Sequence, residues 1–157
     1  MNRTFTGGPA EDVAFAELLA GSHERVVGTR ILPEDLAGVE AARWLYGEAP
    51  FGLLAHDTSA DPRFVYANAT AQKRFEYSWE EFTGLPSRLS AEADNREKRQ
   101  EFMDGVLRQG YVSGYRGVRI AKSGRRFWIE DTTVWNLLDR DGTLRGQAAL
   151  IRGWAAA

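Results

Sequence analysis

Few side chains in this sequence are of types that do chemistry at neutral pH, and their spacing limits what that chemistry can be. His56 and Asp57 are adjacent. Imidazole titrates near neutrality and a carboxylate can orient it, so the two have the makings of an acid/base pair. Neighbours on an extended segment point apart, however, and the pair reads first as turn and capping groups. Arg88, in the run Pro86-Ser-Arg-Leu89, has a planar fork suited to holding a carboxylate or phosphate through two parallel hydrogen bonds. Its rival role is a structural ion pair with Glu92, Glu130 or Asp131. Glu130 and Asp131 fall on opposite faces of a strand, so at most one of them can enter an interior, where burial would raise its pKa and suit it to proton transfer.

Aromatic residues supply the other candidates. Tyr66, Trp79, Phe82, Tyr115 and Trp135 are spaced either to line a slot for a flat ligand or to form plain core. With Arg88 as the nearby cation, they define an expected ligand pocket for a planar, acidic small molecule. Cysteine is absent, which excludes disulfides, thiolate nucleophiles, cysteine metal sites and cysteine-linked chromophores. There is no GxxxxGKS or GxxxxGKT, no GxGxxG and no HExxH. The two histidines, His23 and His56, stand outside the central helices, so haem and metal are not expected; a non-covalent flavin or another planar organic ligand stays open. Arg116, Arg119, Lys122, Arg125 and Arg126 cluster round one hairpin, but a net charge of -2 and interleaved glycines point to a solvated hairpin and not to nucleic acid.

These residues must be positioned by a sheet. Gly124 to Leu138 reads as one long strand between two turns, Ser123-Gly124 and Asp139-Arg-Asp-Gly142, so three antiparallel strands close the chain. Phe127, Ile129, Thr133 and Trp135 share one phase of its alternation. Upstream, short strands fall at Phe51 to Ala55 and Phe64 to Tyr66. Asn68 caps a helix to Phe75, Ser78-Trp-Glu-Glu81 has capping-box form, and Asp94 to Glu97 caps a longer helix with Phe102, Met103, Val106 and Leu107 inward. Two helices precede the first strand. One runs from Pro9 with Phe15, Leu18, Leu19, Ser22 and Val26 on a face, after a loose glycine-containing leader; the other starts at Pro33, with Leu36, Val39, Ala42 and Tyr46 as its stripe. The expected architecture is α+β, a five-stranded antiparallel sheet with helices on one face and two N-terminal helices that either lie across the sheet or meet a partner copy as a homodimer.

At 157 residues, 43% of them hydrophobic, the chain can bury one real core. No apolar run approaches a membrane span, and MNRTFTGGPAED lacks the apolar core of a signal peptide, so a cytoplasmic protein is the simplest reading.

Three runs carry a family resemblance: LLAHDTSADPRFVYAN (Leu53 to Asn68), EEFTGLPSRLSAE (Glu80 to Glu92) and YRGVRIAKSGRRFWIEDTTVWNLLDRDGTLRGQAAL (Tyr115 to Leu150). Together they resemble the MEKHLA domain, a PAS-like domain found at the C-terminus of plant homeodomain-leucine zipper transcription factors and in free-standing bacterial proteins. The resemblance covers roughly Leu45 to Trp154, dividing the chain into an N-terminal helical extension (1–47) and a PAS-like domain (48–157). It implies a fold in which helices and sheet hold a small molecule or pass a signal to a partner. The expected function is therefore a small-molecule-binding sensory module; the alternative is a small cofactor-free enzyme that uses the same pocket for proton transfer, rearrangement or cyclisation, with His56, Asp57 or Glu130 as its polar groups.

Overall fold

The computed structural model describes residues 8–92 and 95–157; the leader ahead of Gly8 and the expected cap at Asp94 lie outside them. Strands β1 (Gly52–His56), β2 (Phe64–Ala67), β3 (Tyr111–Ile120), β4 (Arg126–Leu138) and β5 (Leu144–Ala156) form one antiparallel sheet in the order β2-β1-β5-β4-β3. The long strand expected between two turns is β4, hydrogen-bonded to β5 on one side and β3 on the other. Gly124 and Gly142, with φ of 93° and 81°, make those turns because a residue without Cβ enters the left-handed region freely.

The alternation along β4 is broken at Asp131, whose φ is 48°. Phe127, Ile129 and Val134 share one cluster, whereas Trp135 lies in the cluster on the opposite face. The common face expected for Phe127, Ile129 and Trp135 is therefore wrong, since one residue out of extended conformation reverses the phase of every side chain after it. Pairing with β5 keeps its register through the irregularity, with Glu130 opposite Gly153 and Thr132 opposite Ile151, while pairing with β3 shifts.

Helices cover both faces. Helices α3 (Ala69–Phe75), α4 (Trp79–Phe82) and α5 (Arg96–Gln109) pack mainly on the face of Phe127 and Val134. On the other lie α1 (Val13–Val26), α2 (Gly38–Arg43) and a π turn, Trp44–Glu48. Phe15 stacks on Tyr66 at 5.3 Å between ring centroids, Leu19 is fully buried, and Ser22 Oγ accepts from Trp135 Nε1 at 3.0 Å. The N-terminal helices thus lie across the sheet, and Phe15, Leu19, Ser22 and Ala42 of the stripes that motivated a dimer are covered within the chain.

Local chemistry explains where these helices begin. The first starts at Val13 and not at Pro9, because Asp12 Oδ1 accepts from Phe15 N at 3.1 Å, while Pro9 opens a separate 3-10 turn. The second starts at Gly38 and not at Pro33. Arg30 Nη2 donates to the carbonyls of Pro33, Glu34 and Leu36, each at 3.4 Å, holding that stretch as a turn. Its buried face is accordingly Ala41, Ala42 and Leu45, with Val39 exposed. Asn68 caps α3 as expected and also ties the sheet together. Its Oδ1 accepts from Ala71 N and Leu53 N, and its Nδ2 donates to Leu45 O and Phe51 O, all at 3.0 Å. Ser78 and Glu81 form the reciprocal capping box.

Candidate functional site

The residues expected to surround one pocket are distributed over both faces of the sheet. Tyr66 and Trp135 pack under α1; Trp79 joins them from α4, 5.8 Å from Tyr66 ring to ring. Phe82 and Tyr115 belong to the opposite cluster, Tyr115 stacked on Phe102 at 3.9 Å. Between α3, α4 and the sheet, buried rings interlock, Phe64 on Phe82 at 4.9 Å and Phe75 on Phe127 at 5.1 Å. Glu130 pairs with Arg116 at 2.6 Å in solvent, and Asp131 is exposed. Neither carboxylate enters an interior.

A cavity does exist, of about 390 Å³, between α5, the turn joining β1 to β2 and the start of β5. It brings together His56, Asp57 and Arg88 from the sequence candidates. His56 is buried at the end of β1, directly opposite Gln147 of β5. The strands can meet there because Gly146 has no side chain: a Cβ would stand 1.9 Å from the His56 carbonyl oxygen. His56 Nδ1 lies 3.0 Å from the Asp57 carbonyl oxygen, and since a carbonyl only accepts, that nitrogen carries the proton and the neutral ring's Nε2 is an acceptor. Burial, and then the positive charge of Arg99, hold this imidazole below its ordinary range against the opposing effect of the Asp57 hydrogen bond.

Asp57 is a turn residue. Its Oδ1 accepts from Ser59 Oγ at 2.7 Å, Arg63 N at 3.0 Å and Ser59 N at 3.2 Å, and these bonds outweigh burial and keep the carboxyl below its usual range. Arg88 is half exposed at the rim, with Nε and Nη2 on Asp61 at 3.1 and 3.4 Å.

Two interior residues of this region escaped the sequence reading. Arg99 of α5 is 7% exposed, lines the cavity, and its Nε has no hydrogen-bond partner. Burial, then the neighbouring Arg119 cation, push its guanidinium down to about 9, still charged at neutral pH. Gln147 Nε2 donates to Met103 O at 3.1 Å and Asn136 Oδ1 at 3.2 Å, while Asn136 Nδ2 donates to Val106 O and Leu107 O at 3.2 Å, so the pair straps α5 to β4 and β5. A signal for Arg99 was present, because Arg99, Met103 and Val106 follow the spacing of one helical face. The expected inward residue Leu107 is instead 47% exposed. Arg119, grouped with the solvated hairpin, is buried too, whereas Arg116, Lys122, Arg125 and Arg126 pair with Glu130, Glu81, Glu76 and Glu92.

A second depression, about 510 Å³, lies between α1 and the segment before α2. Of its arginines, Arg25 and Arg30 donate to backbone carbonyls, and Asp139 pairs with Arg145. Among the described residues no cluster of His, Asp and Glu could hold a metal ion, and no helix is long and apolar enough to cross a membrane.

Comparison with known proteins gives the chain its relatives. A model of the MEKHLA domain matches residues 13–156, and so takes in both N-terminal helices. No curated protein matches. Among solved structures, the chain is similar to a PAS domain of a Colwellia psychrerythraea protein, with a TM-score of 0.57 and 19% identity over 66% of this chain and 85% of that one. A light-oxygen-voltage domain studied with a flavin analogue gives a TM-score of 0.55 and 19% identity, over 64% and 75%. The blue-light-activated histidine kinase EL346 of Erythrobacter litoralis gives 0.56 and 20%, over 65% of this chain but only 32% of the kinase. At these identities the likeness establishes the PAS-like fold.

Proposed function

The chain belongs to the MEKHLA domain family, and from that premise we propose that it is a small-molecule-binding sensory module whose ligand occupies the α5 cavity. The observation that carries this reading is a cavity within a PAS-like fold whose inner wall is polar and interior: His56, Arg99 and Gln147 are all buried, yet they face a space of about 390 Å³, within the range of small-ligand sites. The flavin named for one structural neighbour is disfavoured here by the packed rings under α3 and α4, and a cysteinyl adduct is excluded by composition.

The strap beneath the cavity supplies a route for transmission. Asn136 and Gln147 are partners across β4 and β5, and the next pair, Trp135 with Ala148, projects to the other face. There Trp135 bonds Ser22 and meets the His23 ring edge-on at 4.8 Å. A ligand that favours one position of α5 thereby biases the seat of α1, provided it binds the two arrangements with different affinity. In this reading residues 1–47 are the transmitting element and residues 48–157 the receiving domain.

Nitrogen-15 spectra of the purified chain titrated with a library of small organic molecules provide the test. Binding is expected to move the side-chain amide signals of Gln147 and Asn136 together with the indole signal of Trp135. A library whose binders all leave Gln147 unmoved would remove the cavity from consideration, and shifts confined to Gln147 would remove the route to α1.

A further inference from the structure

We propose that the ligand of this cavity is a small organic carboxylate with an apolar body, its carboxylate held by Arg99 and its body against Leu107 and Leu144. The proposal rests on the ligand-binding reading above and adds the chemical class of the ligand.

The first support is a cation without a counterion. Arg99 forms no ion pair and donates no side-chain hydrogen bond among the described residues, although it is 93% removed from solvent by its 7% exposure. Among the described residues, the charge acting on it is that of Arg119, of like sign, with a smaller opposing influence from the Tyr115 phenol. Arg119 itself donates to Val118 O at 2.8 Å and Tyr115 Oη at 3.5 Å, and adds positive potential at Arg99 without neutralising it. A buried guanidinium without an anion is costly, and a protein that keeps one gains stability when an anion arrives. The cavity's own carboxylates do not fill that place. Asp57 is bound up in its turn, Asp61 holds Arg88, and Asp104 Oδ1 accepts from Gln100 Nε2 at 2.9 Å.

The second support is independent of charge. Of the four large hydrophobic residues exposed among the described residues, two, Leu107 at 47% and Leu144 at 37%, line this same cavity, and buried Met103 forms part of its wall. A buried cation with exposed apolar side chains in the same cavity fits an organic anion better than a bare inorganic one. His56, its ring bonded to Asp57 O and to the Gln147 side chain, is neutral and not a second cation.

The experiment titrates the full chain with benzoate, phenylacetate and octanoate, each against its primary amide, and with inorganic phosphate, reading the Arg99 Nε and Gln147 side-chain signals together with the melting temperature. At least one carboxylate is expected to move both signals, to raise the melting temperature, and to bind about tenfold or more tightly than its amide. Arg99→Met is expected to abolish that preference while melting no lower than the wild type without ligand. An amide that matches its carboxylate on the wild-type chain overturns the anion proposal while leaving the cavity a ligand site, and this comparison stands even if the variant fails to fold. Phosphate as effective as the carboxylates overturns the apolar body. Silence of Gln147 and Arg99 towards every compound overturns the proposal and counts against the cavity itself.

Discussion

The two faces of the sheet treat an unsatisfied buried nitrogen differently. Under α1, His23 is 1% exposed; its Nδ1 bonds Thr29 O at 2.7 Å and its Nε2 has no partner. Burial lowers its pKa, the ring stays neutral, and the residue packs against Trp135 as part of a core. Under α5, Arg99 has an equally orphaned nitrogen, but a guanidinium cannot shed its charge at neutral pH. The difference separates scaffold from site: a neutral orphan costs little more than a missing hydrogen bond, whereas a charged one leaves the region incomplete until an anion arrives.

The sharpest way to break the scaffold side is Trp135→Ala. The ring is fully buried at the centre of the α1 face and donates to Ser22, so its loss is expected to destabilise the chain by roughly 3–5 kcal/mol in urea unfolding. A loss below about 1 kcal/mol would mean that α1 is not a structural cover. Gly146→Ala attacks the meeting of β1 and β5 beside the cavity. The added methyl collides with backbone at His56, and overpacking with strain at φ 150° is expected to cost about 2–4 kcal/mol; a variant as stable as the wild type would show that the strands part easily there.

Acidification should weaken both faces through their histidines. His23 and His56 are held below the ordinary value of 6.5, chiefly by burial, so the unfolded chain takes up protons first as pH falls. Their contribution is complete above that value and is lost as pH drops through it towards the folded-state values. Urea midpoints measured from neutrality downward are expected to fall below about pH 6.5, less steeply in His23→Gln; midpoints that rise on acidification would contradict the buried neutral state. The smallest effect is expected from Arg88→Ala. Its pairing with Asp61 is half exposed, so stability should change by less than about 1 kcal/mol, with carboxylate binding little altered. Loss of binding equal to that of Arg99→Met would move the anion site to the rim.

The amino-acid sequence determined what is decided within a few residues. Ser123-Gly124 and Asp139 to Gly142 bracket β4 because turn chemistry is local, and Asn68 and Ser78 cap their helices because a short polar side chain reaches only the nearest amides. Strand number and antiparallel pairing followed from those marks, and the PAS-like resemblance from the runs Leu53 to Asn68, Glu80 to Glu92 and Tyr115 to Leu150. The faces did not. Asp131 looks like any strand residue in sequence, yet its left-handed φ places Phe127 and Trp135 on opposite sides and divides the aromatic residues between two cores. The partners of the arginines were equally illegible. Arg88 and Arg99 are the same residue type eleven positions apart, and only the positions of Asp61, Arg119 and the start of β5 make one a rim ion pair and the other a buried charge without a partner. Turns and caps are settled by bonds to near neighbours in the chain, whereas the pairing of a charge depends on which distant segments the fold brings within a few ångströms of it.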